Sequence, residues 1–217
     1  MATVAVYIDG FNLYFGMKAK FGRKHLWLDV VELARQLRPN DQVVVVRYFT
    51  AIVKNEPAAA QNQQDYLDAL SAHNGALFEL NLGRFKDRTI RGCYRCGSPY
   101  TCICGRPFKS YEEKETDVAL GVTMVADAAL GLADTTLLIS ADTDLVPALA
   151  TVRRVKPQQA IILAMPPGNS RPSRRLTQIG GLGYFSINEP ALRRSQLPQT
   201  VTDQSTGNTY VRPAKWS

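Results

Sequence analysis

Four aspartates stand where their side chains could act together. Asp9 ends an apolar run in Tyr7-Ile8-Asp9-Gly10-Phe11-Asn12, and Asp142 and Asp144 follow another in Ser140-Ala141-Asp142-Thr143-Asp144. Asp117 opens a helical pattern in Glu113-Lys114-Glu115-Thr116-Asp117. Carboxylates that converge without interleaved cations repel and raise one another's pKa. A hard divalent cation removes that cost, and an all-oxygen ligand set suits Mg²⁺ or Mn²⁺. Facing a polyanion, such a centre can activate water and stabilise the leaving oxygen of a phosphodiester. Each aspartate also has a plainer reading. Asp9-Gly10 makes a turn pair, Asn12 and Asp144 can cap helices, and Asp117 can complement the dipole of its own helix. Asp127, further along the Asp117 helix, and Asp134, ahead of its strand, read as structural. Ordinary caps need not gather at one edge of a sheet, so the choice depends on the elements that carry these residues.

Those elements alternate. Ala2–Ile8, Val43–Val53, Ala76–Phe85, Thr135–Ser140, Ala160–Met165 and Tyr184–Asn188 read as strands. Leu28–Leu37 (with Asp29 at its start), Glu56–His73 (with Pro57 in its first turn), Glu115–Leu130, Leu145–Val155 and Arg174–Ile179 read as helices. Strands interleaved with helices predict an α/β fold with a central, mostly parallel sheet covered on both faces. In such sheets, ligands bind beyond the carboxyl ends of the strands, near the switch in strand order. Asp9, Asp142 and Asp144 follow strands directly. The expected organisation is one domain over 1–188, interrupted by a Cys-bearing insertion at about 86–109, and a polar C-terminal tail over 189–217.

The chain has 217 residues, with 26 Lys and Arg against 19 Asp and Glu, a net charge of +7. The excess is concentrated after Thr151, where ten basic residues face only Glu189 and Asp203. Such a field attracts polyanions and can supply phosphate contacts; a solvated basic surface is the plainer account. No secretory signal is visible, and no apolar run approaches the roughly 18 residues of a membrane span. A cytoplasmic protein with no membrane partner is the expectation.

The four cysteines, Cys93, Cys96, Cys102 and Cys104, fall in one short stretch. A CxxC pair followed by a CxC pair predicts a zinc knuckle, a closed tetrahedral Zn²⁺ site of structural role. Free or disulfide-bonded thiols are the alternative. Arg88, Arg91, Arg95, Arg106 and Lys109 surround them, interleaved with Tyr94, Tyr100, Phe108 and Tyr111. Cations and aromatic rings together suit single-stranded RNA; equally, the rings could pack the knuckle. His25 and His73 have no partner motif, and His73 reads as a dipole partner at a helix end.

The segments around Asp9, Asp117 and Asp142, quoted above, resemble the three signature segments of the NYN domain. The likeness is to its LabA-like branch, within the PIN-like nuclease superfamily, in family order across roughly Met1 to Asn188. It implies a PIN-like three-layer sandwich and a metal-dependent ribonuclease acting on RNA. Asp9, Asp117, Asp142 and Asp144 match the acidic catalytic and metal positions, Asn12 and Ser140 the accompanying polar ones, and Lys114 a recurrent basic one. Related proteins often carry two CxxC pairs in this insertion, from which the CxC half departs. A homodimer is compatible with the resemblance. A non-catalytic RNA-binding or regulatory module that retains the acidic metal pocket is the rival expectation, and a DNA or flap nuclease is a third.

Overall fold

A computed structural model describes residues 1–54, 56–90 and 108–216. The four cysteines, and with them the zinc-knuckle expectation, lie outside the described residues. In chain order the elements are β1 (Thr3–Asp9), α1 (Gly10–Phe21), α2 (Val30–Leu37), β2 (Gln42–Thr50), α3 (Pro57–Asn74) and β3 (Phe78–Leu82). A hairpin of β4 (Arg84–Ile90) and β5 (Phe108–Lys114) leads to α4 (Thr116–Leu130), β6 (Thr135–Ile139), α5 (Val146–Val155) and β7 (Ala160–Met165). Then come α6 (Arg174–Thr177), β8 (Leu182–Ser186), α7 (Glu189–Arg194), β9 (Thr200–Thr202) and β10 (Thr209–Val211).

Six strands form the central sheet in the order β3-β2-β1-β6-β7-β8, and every neighbouring pair is parallel. Both faces are covered, as an all-parallel sheet requires. Alternation along β1 divides the core: Val4, Val6 and Ile8 face one layer, Ala5 and Tyr7 the other. The first layer holds Leu13 and Met17 of α1 with the buried sides of α2 and α3. In the second are Leu120 and Met124 of α4 with Leu149 and Val152 of α5. The predicted α/β sandwich is the fold observed.

Three local expectations change. α1 starts directly at the end of β1, ahead of the helix start that an Asn12 cap would give, and the sequence reading sets no bounds for it. Its apolar residues lie on two sides, Leu13 and Met17 buried but Phe15 exposed, so no single stripe announces it. The predicted strand Ala76–Phe85 is broken at Gly83, where the chain leaves the sheet for the β4–β5 hairpin. A side chain there would collide with the Thr116 hydroxyl. Finally, the polar segment after Asn188 is not a loose tail. Leu192, Leu197, Val201 and Trp216 enter the first core, and the Trp27 indole donates to the Pro198 carbonyl at 2.7 Å. A few well-spaced apolar residues anchor a stretch whose average composition is polar. Among the described residues, no helix is long and apolar enough to cross a membrane.

Candidate metal centre

β1 and β6 are neighbours, with Ile8 beside Ile139 at their carboxyl ends. The order runs from β1 through β2 and β3 on one side, and from β6 through β7 and β8 on the other. The crevice between β1 and β6 is therefore the topological switch point, where open α/β sheets bind ligands. Asp9, the last residue of β1, caps α1: its Oδ1 accepts the Asn12 N–H at 2.9 Å. Asn12 is thus inside the helix, not its cap, and its Oδ1 accepts the Ala141 N–H at 3.2 Å. The buried Ser140 hydroxyl donates to Asp9 Oδ2 and accepts the Asp142 N–H, each at 3.0 Å. Asp142 Oδ1 in turn accepts the Asp144 N–H at 2.8 Å. This chain of bonds ties the end of β1 to the loop after β6.

Asp117 arrives from the first turn of α4, on the other side of the crevice. The turn that delivers it is unusual: Glu115, immediately before the helix, has φ 79°, left-handed backbone that a residue with a Cβ rarely adopts. Arg84 holds the Glu115 side chain at 2.6 Å. One carboxylate oxygen each from Asp9, Asp117 and Asp142 lies within 4.8 Å of the others. Asp144 is outside that trio, exposed, but close enough for its charge to act on Asp117. The cleft they border has a volume of about 330 Å³ and is also lined by Phe11, Asn12, Phe15, Gly16 and Asn169.

Burial pushes the Asp9 carboxyl up to about 6. The hydrogen bonds from Asn12 and Ser140 oppose that rise, and the charges of Asp117 and Asp142 add to it. Asp117 is raised too, first by partial burial and then by Asp142 and Asp144. No ion pair relieves Asp9, Asp117 or Asp142 among the described residues. Hard oxygen donors, crowded and uncompensated, fit a divalent cation of the Mg²⁺ or Mn²⁺ type.

The other singled-out polar residues are placed elsewhere. Asp127 receives the Tyr7 hydroxyl at 2.8 Å and the Arg47 guanidinium, and Asp134 binds the Thr3 hydroxyl and N–H, so both are structural. His25 is buried against Glu189, at 3.1 Å, and His73 at the end of α3 lies 3.5 Å from Asp29. Lys114 is the last residue of β5. Sequence reasoning missed Asn169 and Gly16. Asn169 belongs to the Pro166-Pro167-Gly168-Asn169 loop beyond the carboxyl end of β7, the edge where ligands are expected. A Cβ on Gly16 would lie 2.6 Å from the Pro167 carbonyl, so glycine lets α1 lie against this loop.

A second cavity, about 190 Å³, opens between α1 and α3. Phe11 and Phe15 line both it and the acidic cleft.

The fold and sequence have counterparts. The chain is 24% identical to 6-hydroxy-3-succinoylpyridine 3-monooxygenase HspA of Pseudomonas putida, over 97% of its own length and 74% of that protein's. It superposes on the crystal structure of VPA0982 from Vibrio parahaemolyticus, a protein of unknown function, with a TM-score of 0.52 at 15% identity. That match covers 87% of this chain and 94% of the other, and speaks for the fold alone. The NYN domain model matches residues 3–178, a span holding all four aspartates and every strand of the main sheet except β8. With its nuclease-type fold and acidic crevice, the chain belongs to the NYN domain family.

Proposed function

We propose that the protein is a metal-dependent ribonuclease hydrolysing phosphodiester bonds at the crevice between β1 and β6. The observation that carries this reading is the convergence of Asp9, Asp117 and Asp142, from three separate segments, to within 4.8 Å at the switch point. These three would hold Mg²⁺ or Mn²⁺, with Asp144 adding negative charge at the rim. When bound, the cation supplies activation of water and neutralisation of the charge that develops on the phosphate. Ser140 and Asn12 fix the acidic residues, the first by bridging Asp9 to Asp142 and the second by pinning Ala141. Asn169 is a neutral polar group of the cleft, beside Asn12, and can bond a phosphate oxygen without adding repulsion. The net charge of +7 favours a polyanionic substrate. RNA is chosen over DNA on family membership.

The test compares matched RNA and DNA single strands with Mg²⁺, with Mn²⁺ and with EDTA, for the wild type and Asp142→Asn. Metal-dependent RNA cleavage that the substitution abolishes without loss of fold is expected. Undiminished cleavage by Asp142→Asn would remove the assignment, and RNA binding that survives EDTA with no cutting under any ion would favour the non-catalytic module. A structural zinc at Cys93, Cys96, Cys102 and Cys104 stays a proposal from spacing, checked by measuring one zinc per chain released by a thiol-blocking reagent.

A second reading has one observation in its favour. HspA carries a name that specifies oxygenation of a substituted pyridine, and the α1–α3 cavity here is lined with aromatic rings. An enzyme of small heteroaromatic compounds would bind a hydroxypyridine and show no metal-dependent RNA cleavage.

A further inference from the structure

The cavity between α1 and α3 lies directly behind the metal centre. Gly10, the residue after Asp9, is on its wall, and the Tyr48 ring lies so close beneath that a Cβ on Gly10 would be 2.8 Å from it. Tyr14, Tyr48, Tyr66 and Trp216 supply aromatic surface. At about 190 Å³ the space falls short of the ~300 Å³ at which pockets for drug-sized ligands begin, and suits a single flat ring system. Its polar groups are not all engaged. Gln63 is occupied by Val53 and Ala51, and the Tyr66 hydroxyl by the Leu28 carbonyl. The Tyr48 hydroxyl and Asn62 Oδ1 have no hydrogen-bond partner among the described residues. Lys18, Arg23 and Lys215, all exposed, stand at the rim against one acid, Glu56.

We propose that this cavity is a base-binding subsite of the same active site. It takes one unpaired nucleobase of the RNA whose phosphate lies at Asp9, Asp117 and Asp142. Phe11 and Phe15 form the partition over which the strand passes: both line both spaces, their rings are stacked with centroids 6.1 Å apart, and Phe15 is 56% exposed. The exposed Phe15 ring, backed by the half-buried Phe11 ring between an acidic cleft and a cation-rimmed cavity, gives a base a surface to stack on and a phosphate a place beyond it. Bases held in a duplex cannot enter, so the arrangement selects single-stranded or extruded nucleotides. This inference rests on the ribonuclease reading above.

The experiment uses the full chain and a short single-stranded RNA carrying 2-aminopurine at one position at a time, bound in EDTA so that nothing is cut. Fluorescence should change sharply at one position. Ala59→Phe fills the cavity from the half-buried Ala59, and Phe15→Ala removes an exposed ring without touching the core. Both should erase that response and raise KM for single-stranded RNA, roughly ten-fold for the first, which is what one stacked base is worth. Mg²⁺ affinity and kcat should hold. Wild-type KM and an unchanged probe response in both folded variants would overturn the subsite while leaving the nuclease standing. A wild type that neither binds nor cleaves RNA would overturn both. Binding of free 2-hydroxypyridine without RNA, lost in Ala59→Phe, would reassign the cavity to small molecules.

Discussion

Asp9→Asn should separate stability from chemistry, and the structure gives the size and sign of the effect. The carboxyl is raised from an ordinary 3.8 to about 6 by burial and by its acidic neighbours. At about 1.4 kcal/mol per unit, holding that buried charge at neutral pH costs the metal-free fold roughly 3 kcal/mol. Asn keeps the cap, since its oxygen can accept the Asn12 N–H in place of Oδ1. It cannot also accept the Ser140 hydroxyl with its amide nitrogen, and Ser140 must reorient while still serving the Asp142 N–H. That exchange costs about 1 kcal/mol. The metal-free variant should therefore be about 1–2 kcal/mol more stable than the wild type at pH 8.

The pH dependence carries the stronger test. A carboxyl whose folded pKa exceeds its unfolded value favours folding through proton uptake; this contribution is complete below about 3.8 and lost as the pH rises through about 6. Asn has no such dependence. The advantage of Asp9→Asn should be absent near pH 4, open between about 4 and 6, and stay level above. Urea denaturation in EDTA across this range measures it. Mg²⁺ at about a hundred times its Kd should reverse the order, because ligand at that level adds about 2.7 kcal/mol to the wild type alone. A variant less stable than the wild type at pH 8 in EDTA, or a difference independent of pH, would refute the reasoning.

Metal affinity should fall as the pH drops below about 6, because the ion then competes with the proton on Asp9; calorimetric titration with Mn²⁺ at pH 5 and 7.5 should show weaker binding at the lower pH. Arg47→Met strands Asp127, which is buried with the Tyr7 hydroxyl on it, and should cost about 3 kcal/mol in urea melts while leaving kcat of the folded enzyme unchanged. Equal stability would mean that Asp127 does not depend on the guanidinium. Gly16→Ala drives a methyl against the Pro167 carbonyl and should displace the loop that carries Asn169. Its signature is a higher KM for RNA at unchanged Mn²⁺ affinity, and wild-type kinetics would show that the loop takes no part.

The sheet and most of the acidic site were legible because both are written locally. Apolar β-branched runs mark the strands, and an aspartate immediately after such a run is at a strand end whatever the rest of the chain does. Which strands are neighbours is not local: that β1 lies beside β6 and not β7 follows from how two layers of helices share the sheet, and only that pairing brings Asp9 to Asp142. The same limit hid Gly16, Asn169 and the partition of Phe11 and Phe15, whose roles exist only across the crevice. Composition misled at the C-terminus because a few anchoring residues decide the packing of a polar segment.

The choice between cap and ligand, which the sequence leaves open at each aspartate, is not a real alternative in this site. Asp9 Oδ1 caps α1 while its Oδ2 is held by Ser140, and Asp142 Oδ1 holds the Asp144 N–H. A carboxylate with one or both oxygens tied to backbone N–H or a buried hydroxyl has lost its rotamer freedom before any cation arrives. Local hydrogen bonds thus hold two of the three clustered carboxylates against their mutual repulsion, and the geometry of the cluster is fixed by the same bonds that terminate the strands. Among the described residues no such tether holds Asp117, which is delivered by the left-handed turn at Glu115. The precision of the centre therefore rests on ordinary capping on one wall of the crevice and on a strained turn on the other.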